Sequence, residues 1–417
     1  MSVQARSRIA AAFSVTDNAR RLFSPRGDEV PAITGLRALA VMWVLLQHVQ
    51  QGLRPLGMTP AGAYFLSRPL LRLGWAGNLG VDVFFVISGY LIGGLLMRER
   101  EETGRISFRS FYLRRAMRIL PAYGLAIALN LALGSPNPRS AWANVLFVNN
   151  FLPFTQQFMA HTWSLAIEEQ FYALFPLWLL GLYAVRPRMR TAFLVATVLG
   201  FGAVAVALVL HYGLEVSLVR PNIAEFWRYM DVFFVKPYAR FGALFVGVLV
   251  VHLERATAAV KALEQRPYVA GAASLLALVV MALVAFVFPE TRSPSGEKLL
   301  LGSLGLALNS YVFAAAVGYL VLVSRARSGV GRAVAAALGM RVLHPIAQLS
   351  YAIYLFHPLC IAPLLPRLGF DLGSPYLSFA RSVSASFVVS FAAATVVHLL
   401  VELPVMKLRP VPAAARS

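Results

Sequence analysis

Residues 31–50 read PAITGLRALAVMWVLLQHVQ, and Arg37 and His48 are the ionisable side chains in them. A helix of about 20 mainly apolar residues crosses the hydrocarbon layer of a bilayer. This stretch therefore predicts a membrane span. Nine more stretches read the same way, near 79–97, 119–134, 165–185, 191–211, 238–253, 268–288, 301–323, 346–365 and 376–401. The third and sixth of the ten are the shortest. The expected fold is an all-α polytopic membrane protein of about ten transmembrane helices. One transmembrane domain covers 31–405, between a cytoplasmic segment 1–30 and a cytoplasmic tail 406–417. No repeat period marks a solenoid or an array.

Composition agrees. Of 417 residues, 59% are hydrophobic and 13% charged. Soluble domains carry about 25% charged residues. Disorder needs low hydrophobicity, so both an ordinary soluble enzyme and a disordered chain are excluded. The net charge is +20, from 38 Lys and Arg against 18 Asp and Glu. Such an excess raises nucleic acid as a partner, but these Arg residues flank apolar runs, where membrane topology explains them and no nucleic acid is expected. Residues 1–32 lack the apolar core of a signal peptide. The single cysteine, Cys360, excludes internal disulfides and Cys-rich metal sites and reads as a small buried apolar residue.

Orientation follows from the positive-inside rule. With the N-terminus in the cytoplasm, inside segments hold 25 Lys and Arg and outside loops hold 10. The other three, Arg37, Arg240 and Arg381, fall within spans. An N-in, C-in protein of the inner (plasma) membrane is expected.

Ionisable groups at membrane depth are costly and mark function by default. Arg37 and His48 are eleven steps apart, a rise of roughly 16 Å that spans about three turns. They share a helix face, with Arg37 cytoplasmic and His48 in the outer half. Asp82, in GVDVFFVISGYLIGG, enters at a similar outer depth and is a candidate partner for one imidazole nitrogen. Gly89, Gly93 and Gly94 allow close approach of a helix or a ligand. Arg115 and Arg118, in RISFRSFYLRRAMRILPAY, lie on one face and suit phosphate recognition. In HTWSLAIEEQFYALFPLW, Ser164 reads as a helix cap, and at least one of Glu168 and Glu169 points inward. His357, in LSYAIYLFHPLCI, precedes Pro358, which is expected to distort the helix there. Glu402 reads as lying at the inner end of the tenth span. Each of these also has a plain reading: snorkelling for Arg37, helix-dipole pairing for Asp82, Glu168 and Glu169, and topology or anionic lipid for Arg115 and Arg118.

Together the segments resemble the membrane acyltransferase-3 family, which includes O-antigen, exopolysaccharide and peptidoglycan O-acetylases and macrolide acyltransferases. The resemblance rests on Arg37-x10-His48, GVDVFFVISGYLI, FYLRRAMRILPAY, WSLAIEEQFY, SYAIYLFHPL and VELP, in the family's order across about 31–405. It implies transfer of an acyl group, commonly acetyl, from acyl-CoA to a hydroxyl of a cell-surface glycan, a lipid-linked sugar or a small metabolite. His48 matches the family's catalytic histidine, as base or acyl carrier, and Arg115 and Arg118 match the pair associated with the donor nucleotide. The catalytic set expected here is His48, Asp82, Glu168 and Glu169. Arg37, Arg115 and Arg118 are expected to hold the donor, and Trp163 and His357 to contact substrate. Some members carry a fused extracytoplasmic hydrolase-like domain, and this chain, ending soon after the tenth stretch, is expected to lack it.

No metal is expected, because His161, His211, His252, His344 and His398 lie in separated segments without ligand spacing. The alternative class is a polytopic transporter or flippase of glycans or lipids, which predicts paired interrupted halves. No such pair is visible in the sequence.

Overall fold

A computed structural model describes residues 11–24, 30–214, 222–287 and 300–408. Parts of the expected segments 1–30 and 406–417 lie outside the described residues. Among the described residues every element is helical. The ten apolar stretches fall on ten long helices: α1 (Pro31–Gly52), α2 (Leu79–Thr103), α3 (Phe108–Ala132), α4 (Trp163–Ala184), α5 (Arg190–Tyr212), α6 (Pro237–Ala256), α7 (Pro267–Val287), α8 (Leu300–Val323), α9 (Leu343–Leu368) and α10 (Pro375–Val397).

Eight helices among the described residues are long and apolar enough to cross a membrane. Ile223–Phe234 and Pro237–Ala256 make a ninth if taken as one span, bent by 52°. The bend falls at Val235 and Lys236, where Pro237 cannot donate to the preceding turn. Helix α3 is 25 residues long, but Arg109, Arg114, Arg115 and Arg118 crowd its first half. Its length matches a span and its composition does not. The segment 98–118 is largely helical. Helix α2 runs to Thr103, Gly104 turns the chain with φ +71°, and α3 starts at Phe108.

The bundle is held tightest where α2 meets α6. A Cβ on Gly89 would collide with the Leu244 carbonyl, and one on Gly247 with the Val86 carbonyl. Gly93 and Gly94 likewise face Val248 and Val251 of α6. The glycines of α2 thus serve helix packing, which in lipid depends on close backbone approach. Helix α10 runs into a π-turn, His398–Glu402, in which His398 Nδ1 lies 2.5 Å from Glu402 Oε2. A short N-terminal helix, Val15–Phe23, docks there through Asn18 Nδ2, which donates to the Leu399 carbonyl at 3.0 Å.

Candidate active site

His48 lies in the last turns of α1. Its Nδ1 is 2.8 Å from the Val44 carbonyl. A carbonyl only accepts, so Nδ1 carries the proton and Nε2 keeps the lone pair. That is the nitrogen available as a base. The His357 ring meets His48 edge-on at 4.5 Å, and His161 lies 5.7 Å from His357. His357 is 1% exposed, with Nδ1 against the carbonyls of Ile353 at 3.0 Å and Tyr354 at 2.9 Å. Its Nε2 and that of His161 are buried without a hydrogen-bond partner among the described residues.

Helix α9 continues past Pro358 to Leu368, so the proline does not end it. The ring instead removes the N–H that would have bonded the Tyr354 carbonyl. That freed oxygen accepts from His357, so the proline fixes an imidazole and leaves the helix continuous.

Two cavities flank this cluster. The histidine cavity, of about 730 Å³, is lined by His48, His161, Trp163, Arg54 and a wall of aromatic side chains. Loop residues Phe154, Phe158 and Met159 close one side. Arg54 sits 5.0 Å from the Trp75 ring and 5.4 Å from Phe226, and burial pushes its guanidinium below the ordinary arginine value. The arginine cavity, of about 330 Å³, is lined by Arg37, Arg115, Arg118, Ser88, Glu168 and Tyr172. Val44, Val81 and Tyr354 line both.

Two of the three carboxylates, Asp82 and Glu168, are engaged by partners other than His48. Asp82, 1% exposed, pairs with Arg240 at 3.3 Å and accepts from Ser310 Oγ at 3.0 Å. Its role in this structure is to neutralise an intramembrane guanidinium, which also donates to the Phe234 carbonyl at 2.8 Å and lies 4.2 Å from the Phe234 ring. Glu168 accepts from Ser88 at 3.1 Å and Tyr172 at 3.1 Å, and it lines the arginine cavity and not the histidine cavity. Glu169 follows it with one carboxylate oxygen buried and without a hydrogen-bond partner. The imidazole partner expected from the sequence is thus replaced by a backbone carbonyl. Ser164 is not a cap either. It sits inside α4, and its Oγ bonds the Tyr354 hydroxyl at 2.9 Å. Arg37, Arg115 and Arg118, by contrast, come from α1 and α3 to one cavity, with Arg37 Nη2 donating to Ser350 at 2.9 Å.

Residues 30–401 match the family model described as an acyltransferase domain, acyltransferase-3. The chain belongs to the acyltransferase-3 family. The O-acetyltransferase OatA of Staphylococcus aureus strain NCTC 8325 is 34% identical over 213 residues, covering 46% of this chain and 31% of that protein. A protein of Staphylococcus aureus strain COL, whose name as an O-acetyltransferase is provisional, is 35% identical over 184 residues, covering 40% of this chain and 27% of its own. The chain spans less than a third of the length of these relatives. No solved structure shows a significant match.

Within this acyltransferase-3 domain, sequence reasoning missed His161, Tyr354 and Arg240. His161 reads as remote because 113 positions separate it from His48. Tyr354 precedes His357 by three residues and shares its helix face, a usable signal. Arg240 is recognisable as an arginine within a span, and the partner of such a charge is the thing to seek. Among the described residues, no group of three His, Cys, Asp or Glu side chains is arranged to hold a metal ion.

Proposed function

We propose that this acyltransferase-3 chain is a membrane O-acetyltransferase. It takes an acetyl group from acetyl-CoA in the arginine cavity and delivers it to a hydroxyl of a glycan, lipid-linked sugar or small metabolite in the histidine cavity. The observation that carries this is the pair of cavities back to back, three guanidinium-bearing side chains on one and an imidazole with a lone pair on the other. Guanidinium groups suit phosphates. Coenzyme A, extended, is on the order of 20 Å, comparable with the Arg37-to-His48 rise.

In this reading His48 Nε2 removes the acceptor hydroxyl proton as the oxygen attacks the thioester carbonyl. The new C–O bond forms, the C–S bond breaks, and the departing thiolate takes the proton back from the imidazolium. A transient acyl-His48 is the variant route. His161 and His357 flank His48, Trp163 lines the acceptor side, Asp82 holds Arg240, and Glu168 holds Ser88 and Tyr172 at the arginine cavity. The donor side faces the cytoplasm of the inner membrane, with ten crossings and both termini inside; α3 is the crossing whose arginines form the donor mouth.

Purified protein incubated with radiolabelled acetyl-CoA and an envelope glycan extract tests the reading. Thiol release with label in a glycan or small metabolite is the expected result. Movement of substrate without thiol release would return the chain to the transporter class.

A further inference from the structure

The two cavities share three lining residues, Val44, Val81 and Tyr354. His48 lines the histidine cavity, whereas the three arginines line the other. If the donor nucleotide sits with the arginines, its thioester must pass this partition to meet His48. We infer that Val44, Val81 and Tyr354 form a rigid collar that limits the acyl group to a short, unbranched chain. The inference rests on the O-acetyltransferase reading and names the residues that set its donor.

Each member of the collar is held by a nearby hydrogen bond or ion pair. The Tyr354 hydroxyl donates to the His161 carbonyl at 2.7 Å, which leaves Ser164 Oγ as donor of the 2.9 Å bond. The ring is thereby pinned between α9 and the start of α4. Val81 precedes Asp82, whose carboxylate is locked to Arg240 and Ser310. The Val44 carbonyl accepts from His48, so the collar and the base share one backbone position. Both valines are buried, at 3% and 8% exposure, and β-branched side chains have restricted χ1. The strong χ1 preference of valine in a helix opposes widening of such a collar by a rotamer change. A missing or extra methylene in a well-packed apolar slot discriminates by about 10–200-fold.

The test uses the full chain with acetyl-, propionyl- and butyryl-CoA, following thiol release and acyl product. The unsubstituted protein is expected to prefer acetyl over butyryl by at least about tenfold. In Val81→Ala and Val44→Ala the butyryl-to-acetyl ratio rises by about tenfold or more. The ratio is taken within each variant, so a change in yield cancels. Thermal-shift titration with the same three donors reads the corresponding affinity ratio in any variant that has lost turnover. Butyryl transfer equal to acetyl in the unsubstituted protein, or ratios unmoved in both variants, overturns the collar. Failure of the unsubstituted protein to use any of the three donors overturns the O-acetyltransferase reading instead.

Discussion

At His48 the chemistry reduces to which nitrogen holds the proton. The Val44 carbonyl at 2.8 Å settles it in favour of Nδ1–H, without a carboxylate. A backbone acceptor orients the ring but adds no counter-charge, so an imidazolium formed in the proposed proton transfer would rely on its surroundings. His48→Ala is expected to lower acetyl transfer by about 10²–10⁴-fold, the usual worth of a general base, while the protein still accumulates in the membrane. Near-normal turnover in a well-expressed variant would remove His48 from the mechanism. Arg115 lines the arginine cavity, 5.9 Å from the Tyr172 ring. Arg115→Ala should raise the apparent KM for acetyl-CoA several-fold more than it lowers kcat, because a lost phosphate contact removes binding common to ground and transition states. Steady-state kinetics at varied donor concentration reads the difference.

Among the elements, α2 lines the arginine cavity and packs closely against α6. Their contact depends on Gly89 and Gly247, and their shared charge is the Asp82–Arg240 pair. A buried pair broken on one side leaves an uncompensated charge, at a cost of about 3–5 kcal/mol. Asp82→Ala should therefore lower the thermal midpoint of the detergent-solubilised protein sharply. Asp82→Ala combined with Arg240→Met should recover much of that loss, since the second change removes the orphaned charge. A double variant no more stable than Asp82→Ala would show that Asp82 acts otherwise than as the counter-ion of Arg240. Gly89→Leu should be worse than an ordinary overpacking change of about 1–3 kcal/mol, because the clash is with backbone and no side chain can yield. Folded yield by size-exclusion chromatography measures it.

For the whole molecule, the prediction concerns direction. The proposed topology puts Arg139, an exposed residue in the segment between α3 and α4, outside the cell. In a background with Cys360→Ala, Arg139→Cys should react with an impermeant maleimide on intact cells. Reaction after permeabilisation alone would reverse the orientation, and with it the side from which the donor enters. Replacing Cys360 first matters because the residue is half-buried, not fully buried as its apolar surroundings suggest.

Helix type, the location of all ten apolar segments and the gathering of arginines at the start of α3 follow from the sequence itself, because lipid permits few backbone solutions and apolar runs declare themselves locally. His48 and Arg37 also stand out there, since an ionisable residue in an apolar run is visible without any neighbour. What only the tertiary structure decided is who meets whom. Asp82 goes to Arg240 across 158 positions, Glu168 turns to Ser88 and Tyr172, and His161 and His357 gather beside His48. Those pairings depend on how helices rotate and cross, which is set by side-chain packing summed over the bundle and leaves no periodic trace along the chain.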